Sequence, residues 1–370
     1  MTDAFAPLVG DLRDLFARGV DAPLDDGAFQ AYALRVFGWQ YRACPTYRAF
    51  CSARGVTPDT VVRWEDIPPV PATAFKHLDL VSGDPDAAEA IYRTSGTSRG
   101  AGARGRHFVP DLSLYHASLR PNFRAHLLPE GGALEILSLI PSPRDVPDSS
   151  LSAMVGDVAA SLAPSVRWLA DPASGTDAGA FAEAAGEVME EGEPVLVVGT
   201  AFAFVHLLDA LAAAGTPLPL PEGSRIMETG GFKGRSRAVS REELYGAMAR
   251  WLDVPPGRVV NEYGMTELLS QLYEPVLVEG EEGRGRHVPP PWLRVRALDP
   301  VTLAPLPEGR PGLLVFFDLA NAGSVSHVLT EDMGRVTPEG VVLQGRVRGA
   351  EPRGCSLAME ELLAATRGDP

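Results

Sequence analysis

Thr94-Ser95-Gly96-Thr97-Ser98-Arg99-Gly100 is the stretch on which the reading of this chain turns. Small residues let successive backbone N–H groups converge on one anion, and the hydroxyls of Thr94, Ser95, Thr97 and Ser98 add further donors. A short strand is expected over 88–92, before the loop, with a returning strand at His107-Phe108-Val109. Two other readings of the same residues stand beside a phosphate cradle. One is a solvated surface turn. The other is a serine-hydrolase elbow, because Gly96 to Gly100 also fits G-x-S-x-G. That elbow needs a helix directly after the nucleophile, and Ala101-Gly102-Ala103-Arg104-Gly105 is a poor helix start.

The charge balance decides how such a loop would have to work. The chain has 370 residues and a formal net charge of −15. That overall field repels nucleic acid and anionic membrane, so a phosphate ligand requires a local positive pocket. Among the 33 basic residues only Lys76 and Lys233 are lysines. A lysine offers a compact point charge where arginine offers a planar fork, which makes both lysines candidates for a functional role. The three cysteines, Cys44, Cys51 and Cys355, give neither an even disulfide framework nor metal-ligand spacing, as expected in a reducing cytosol. The start Met1-Thr2-Asp3 lacks a cationic lead into an apolar run, so no signal peptide is expected. The most apolar stretch, 195–214, is interrupted by His206 and Asp209, which favours a strand followed by a buried helix over a membrane span.

Length suggests two domains, or one large domain with an appendage. Residues 1–65 read as helical, with Leu8, Leu12, Leu15 and Phe16 at helical spacing, until Pro68, Pro69 and Pro71 break the pattern. From 133 to 345 strands and helices alternate. Strands are expected at 134–140, 195–198, 313–317 and 341–343, and helices at 149–162, 178–189 and 203–214. Ser240 with Glu243 three residues on forms a capping box that starts a helix through Trp251. The segments 141–148 and 279–291 read as surface loops, and one short helix is expected at about 357–366. Such alternation predicts an α/β architecture with buried sheets.

Three further segments carry polar chemistry. Asn261-Glu262-Tyr263-Gly264-Met265-Thr266-Glu267 follows the apolar pair Val259-Val260 and is expected to open a helix. Glu228-Thr229-Gly230-Gly231-Phe232-Lys233 follows a short strand and precedes the capped helix. At 4 Å and an intermediate effective dielectric one ion pair is worth about 4 kcal/mol, so Lys233 is suited to meet a carboxylate or phosphate. Thr330-Glu331-Asp332 and Gly345-Arg346 lie further on. Taken singly, each segment also fits an exposed loop or an ordinary helix start.

In this order and spacing the segments resemble the motifs of the adenylate-forming superfamily of acyl-CoA synthetases, luciferases and peptide-synthetase adenylation domains. Thr94 to Gly100 resembles its phosphate loop, although the Pro-Lys pair that often follows is absent and Arg99, Arg104 or Arg106 would have to serve. The resemblance implies that Thr94, Ser95, Gly96, Thr97, Ser98, Gly100 and Thr266 bind the phosphates of ATP. It implies that Glu267 holds Mg²⁺, a hard cation suited to carboxylate and phosphate oxygens. Tyr263 would pack on adenine, and Gly230, Gly231, Phe232 and Gly264 would line the adenine and acyl pockets. Asp332 would hold the ribose hydroxyls and Arg346 the nucleotide at a hinge.

A full superfamily member continues about 100 residues past that hinge, by the resemblance, and carries a catalytic lysine there. This sequence has 24 residues after Arg346 and no Lys beyond Lys233, which becomes the candidate adenylation lysine. With Phe75-Lys76 upstream and Arg353-Gly354-Cys355-Ser356-Leu357 in the tail, nearly the whole chain resembles the acyl-protein synthetase family (LuxE-type long-chain fatty-acid–protein ligases). That resemblance implies acyl transfer from AMP to Cys355. A thiolate attacks an acyl-adenylate readily, and Arg348, Arg353 and a helix start just beyond favour the thiolate. A lone cysteine otherwise reads as a small buried residue, as Cys44 and Cys51 do.

The expectation is therefore an α/β adenylate-forming large N-terminal domain with layered sheets and helices, its C-terminal domain truncated. It spans 1–345, helical over 1–87, with a tail 346–370 carrying Cys355. The expected reaction is MgATP-dependent activation of a carboxylic acid, a fatty acid by resemblance, and acyl transfer to the enzyme. An acyl-CoA-reductase-type protein would then receive the group in the cytoplasm. The rivals are an acid–thiol ligase using CoA or a carrier-protein phosphopantetheine, a serine hydrolase attacking through Ser98, and a nucleotide-binding protein without catalysis.

Overall fold

The computed structural model describes residues 4–94, 104–230, 239–346 and 353–367. The chain divides into two compact units. The first comprises Met1–Pro121, Met265–Gln271 and Gly285–Pro370, and the second Asn122–Gly264 and Leu272–Arg284.

The first unit is built on a five-stranded sheet. Its path runs Val70–Pro71, His327–Thr337, Gly312–Asp318, Leu293–Leu298, with Gly340–Arg346 also paired to His327–Thr337. Only the short Val70–Pro71 strand is parallel to its neighbour. Gly312–Asp318 is buried along its whole length, which is why it reads as an unbroken apolar run instead of an alternating one. Helices Phe5–Phe16, Asp26–Ala43 and Pro45–Ala53 belong to this unit. Asp25 caps the second by accepting from Ala28 N at 2.8 Å, and Pro45 starts the third where its missing N–H costs nothing. Phe29, Trp64 and Phe317 meet edge to face at centroid distances of 5.5 to 5.9 Å and form one of its apolar centres.

The tail belongs to the same unit. Its helix runs Arg353–Arg367 and packs on Pro45–Ala53 and on His327–Thr337. The helix was expected to begin after Cys355; it begins before it. Gly354 donates its N–H to the Pro300 carbonyl at 3.1 Å, and a Cβ there would meet Leu303 Cδ2 at 2.6 Å. Only glycine allows the first turn to sit this close to the 299–304 loop, so the helix is anchored from its first residues.

The second unit is a six-stranded sheet in the order Leu272–Tyr273, Val259–Tyr263, Arg225–Thr229, Val195–Thr200, Glu135–Ser138, Val166–Trp168. All pairings are parallel except that of Leu272–Tyr273. Helices Ser150–Leu162, Ala178–Glu191, Ala201–Ala214 and Arg241–Leu252 connect the strands. Each starts on a side-chain cap, respectively Ser149, Asp177, Thr200 and Ser240, and both halves of the expected capping box at Ser240 and Glu243 are present. Left-handed Gly192 and Gly215 end two of them. Phe181, Phe204, Leu207, Ile226 and Met248 fill the core between these helices and the sheet.

One expected element is absent. Tyr263 ends a strand, and no helix follows Glu267: residues 264–271 form an irregular turn before Leu272–Tyr273 pairs back on Val259–Tyr263. The apolar Leu268 and Leu269 suggested a helical face. Instead the buried Asp318 carboxylate takes the N–H groups of Leu269 and Ser270 at 2.9 Å each, and those donors are then lost to any helical ladder.

Candidate active site

In the first unit the glycine-and-hydroxyl loop springs from an antiparallel hairpin, Ala90–Arg93 against Arg106–Val109. Its neck is closed by Thr94 N to Gly105 O at 3.0 Å and Gly105 N to Thr94 Oγ1 at 2.9 Å. A Cβ on Gly105 would meet Thr94 Cγ2 at 3.0 Å, so the two chains approach closely because this residue is glycine. Arg104 donates to the carbonyls of Thr94 at 2.8 Å and Arg93 at 3.2 Å, and Arg106 pairs with Asp79 at 2.6 Å. These two cations hold the hairpin. Lys76 has its stem beside the neck, 3.4 Å from the same Cβ position, and is exposed. Ser95, Gly96, Thr97, Ser98, Arg99 and Gly100 lie outside the described residues. The first described element beyond them is a strand paired back on its predecessor, where a hydrolase elbow needs a helix.

Two residues after Gly105 the hairpin reaches the Thr266-Glu267 motif. His107 Nδ1 lies 2.6 Å from the Thr266 carbonyl oxygen, and its Nε2 lies 2.7 Å from Asn321 Oδ1. The Asn321 amide nitrogen donates to the Glu267 carbonyl at 3.0 Å. Complete burial drives the His107 pKa down to about 4, while the acceptors on both sides pull the other way. Asp318 grips the far side of the same turn through Leu269 N, Ser270 N and, at 2.7 Å, Ser270 Oγ. Burial raises the Asp318 pKa. The neck of the glycine-and-hydroxyl loop and the Thr266-Glu267 motif are thus neighbours in one unit, although they are far apart in sequence. Glu267 is a buried carboxylate, and one such hard oxygen donor beside phosphate oxygens is a set that fits Mg²⁺.

Asp332 and Arg346, both expected to contact the nucleotide, also lie in the first unit. Asp332 and Arg346 are cross-strand partners, and Arg346 Nε donates to Asp332 Oδ1 at 3.1 Å. Two residues before Asp332 the Thr330 carbonyl accepts from Cys355 Sγ at 3.7 Å. The Cys355 thiol is buried among Leu298, Leu313, Val315 and Leu329. The structure therefore places the cysteine against the Thr330 carbonyl, two residues from Asp332, and covers it.

In the second unit the carboxyl ends of the parallel strands carry the other motif residues. Such ends are where open α/β sheets bind ligands. Gly230, at φ +75°, leaves the strand Arg225–Thr229, while Tyr263 and Gly264 leave Val259–Tyr263. Gly231, Phe232 and Lys233 lie outside the described residues. Beneath these ends are two carboxylates that sequence reasoning did not single out. Glu228 accepts from Asn261 Nδ2 and from Tyr245 Oη, and Glu262 accepts from Thr229 Oγ1. Burial pushes both pKa values up to about 7. Glu274, fully buried, is held by Arg241 at 2.7 Å and Arg284 at 3.4 Å. The signal available in sequence was only that Glu228 and Glu262 each stand next to the last residue of an apolar strand, which does not separate a buried carboxylate from an exposed one.

Those raised values have a consequence for stability. Between about pH 4.5 and 7 the folded protein keeps protons on Glu228 and Glu262 that the unfolded chain has lost, so stability falls as pH rises through that window. Glu262→Gln keeps a carbonyl acceptor for Thr229 and removes the charge. Thermal or urea unfolding at pH 5 and pH 8 is expected to show that the variant loses less stability than the wild type, by about 1–3 kcal/mol. An unchanged pH dependence would place that proton elsewhere.

Comparison with known proteins decides the family. A family profile described as "Acyl-protein synthetase, LuxE" matches residues 23–106 and 179–364. The chain belongs to this acyl-protein synthetase family. It is 25% identical over 343 residues to a long-chain-fatty-acid–luciferin-component ligase of Vibrio harveyi, covering 89% of this chain and 86% of that protein. A protein of the same name from Aliivibrio fischeri is 34% identical over 92 residues, 22% of this chain and 24% of its own. Among solved structures, a 2-hydroxyisobutyryl-CoA ligase in complex with 2-HIB-AMP and CoA superposes with a TM-score of 0.65, 14% identity, 90% of this chain and 77% of that one. ATP-bound MatB from Rhodopseudomonas palustris gives 0.51 at 16% identity over 72% of this chain, which spans about half of the MatB chain (49%). The acyl-protein synthetase therefore has the mixed α/β fold of adenylate-forming ligases, and it is itself a ligase. Among the described residues no helix is long and apolar enough to cross a membrane.

Proposed function

We propose that this acyl-protein synthetase activates a fatty acid with MgATP and then carries the acyl group on Cys355. One observation carries the reading: His107 ties the neck of the glycine-and-hydroxyl loop to the Thr266-Glu267 turn within a single unit. A phosphate cradle and a hard carboxylate ligand then serve one nucleotide. Thr94 and the loop that follows it, with Thr266, hold the phosphates. The exposed Lys76 beside the neck supplies a point charge to a site in a protein of net charge −15. Glu267 is the residue that would hold Mg²⁺, which supplies charge neutralisation as the substrate carboxylate attacks the α-phosphate. Asp332 with Arg346, in the same unit, takes the ribose.

In the first half-reaction a carboxylate oxygen bonds to the α-phosphorus and pyrophosphate leaves, giving acyl-AMP. In the second the Cys355 thiolate attacks the acyl carbon, AMP departs, and a thioester remains. The proximity of Cys355 to Thr330 supports this transfer, and its burial requires the first turn of Arg353–Arg367 to separate from Leu298 and Leu313 beforehand. The segment 346–370 is on this reading the acyl-carrying part of the enzyme and 1–345 the adenylating part. A second protein, of acyl-CoA-reductase or carrier type, then receives the acyl group in the cytoplasm. The relatives of the same family, named as long-chain-fatty-acid ligases, favour a fatty acid over an aryl acid. ATP–pyrophosphate exchange across straight-chain and aryl acids tests it. Exchange that rises with acyl-chain length is expected, and exchange indifferent to any added acid would refute the adenylation step.

A further inference from the structure

His107 and Asn321 lie outside every motif used above, yet both are fully buried beside it. We infer that they form a positioning clamp that fixes Thr266 and Glu267 for phosphate and Mg²⁺. The clamp rests on the roles proposed for those two residues. Its geometry is set by hydrogen-bond accounting. Both hydrogens of the Asn321 amide nitrogen are committed, one to the Glu267 carbonyl at 3.0 Å and one to the Val325 carbonyl at 2.9 Å. Turning the amide over would set its oxygen against two carbonyl oxygens, so Oδ1 must face His107 Nε2 at 2.7 Å. The other ring nitrogen meets the Thr266 carbonyl at 2.6 Å. A neutral imidazole carries one N–H, so His107 donates to one of these two oxygens, while the Asn321 amide holds the Glu267 carbonyl; the two side chains thus lie against successive backbone carbonyls of the motif and against each other.

The far end of the turn is bound to the same short segment. Asp318, three residues before Asn321, takes Leu269 N and Ser270 N and caps the single turn Leu319–Asn321 through Ala320 N at 3.0 Å. The segment from Asp318 to Asn321 therefore grips the motif on both sides. His107 sits two residues beyond Gly105, so the clamp also sets the motif against the neck of the phosphate loop. Apolar residues of similar shape could fill this space, but they would leave two carbonyls without donors and the turn without a fixed height. Outer residues of this kind typically control metal affinity or activity by about 10–100-fold.

The test measures fatty-acid-dependent pyrophosphate exchange against Mg²⁺ and ATP concentration in wild type, His107→Gln, His107→Phe and Asn321→Leu. His107→Gln keeps a donor for Asn321 and gives up the bond to Thr266. Its half-saturating Mg²⁺ is expected to rise about 10-fold, with a rate per folded molecule lower by about 10–100-fold. His107→Phe and Asn321→Leu are expected to fall further. A purely structural role would lower the yield of folded protein and leave the Mg²⁺ dependence of the folded fraction unchanged; that result overturns the clamp. If His107→Phe does not fold, His107→Gln decides alone. A wild type without exchange refutes the adenylation reading and the clamp together, whereas an active wild type with indifferent variants refutes the clamp only.

Discussion

Glu267→Gln is expected to lower fatty-acid-dependent pyrophosphate exchange by about 100- to 1,000-fold, the loss that follows when several kcal/mol of charge neutralisation at the α-phosphate is removed. The substitution keeps the shape of the side chain. It leaves in place the Asn321 bond to the Glu267 carbonyl and the Asp318 bonds to Leu269 and Ser270, so the turn retains its anchors. The loss should therefore appear as a change in the Mg²⁺ dependence, not as unfolding. Raising Mg²⁺ is expected to recover part of the activity, because phosphate and water oxygens would still be available to a hard cation. An exchange rate within threefold of wild type at low Mg²⁺ would remove Glu267 from the metal site.

Cys355→Ser is expected to abolish the thioester while sparing acyl-AMP formation. Incubation with MgATP and labelled fatty acid should leave label on the wild type that neutral hydroxylamine releases, and none on the variant. Pyrophosphate exchange should stay within about twofold, since the thiol enters only after the adenylate has formed. The burial of Cys355 adds a second expectation. Its Sγ lies among Leu298, Leu313, Val315 and Leu329, so a thiol reagent should modify it slowly in the resting enzyme. Modification should accelerate with MgATP and acid if the adenylate shifts the first turn of the C-terminal helix away from the sheet. Label retained on Cys355→Ser would assign the acceptor elsewhere and favour a CoA or phosphopantetheine thiol.

The parts of the fold that follow from local chemistry were legible in the sequence. Ser240 and Glu243 announce their capping box, 195–198 and 313–317 announce buried strands, and the glycine-and-hydroxyl loop announces the hairpin that flanks it. The parts that depend on long-range pairing were not. Leu268 and Leu269 looked like a helical face, and only Asp318, distant in sequence, decides that they are not. His107 and Asn321 carry no motif, because a lone histidine and a lone asparagine acquire meaning only through the carbonyls that folding places beside them. The same holds for Glu228 and Glu262, whose character comes from burial. Cys355 was legible as a candidate by resemblance, but its covered position under the first helical turn was not.

On the proposed function, the glycine-and-hydroxyl loop, the Thr266-Glu267 turn and the Asp332–Arg346 pair together bind an acyl-adenylate. Calorimetric titration of the purified protein with a non-hydrolysable acyl-sulfamoyl adenosine measures this directly. One site per chain is predicted, with affinity at least 100-fold above that of ATP, as expected when a tight intermediate analogue replaces the substrate. No detectable heat, or binding left unchanged in Asp332→Ala, would contradict it.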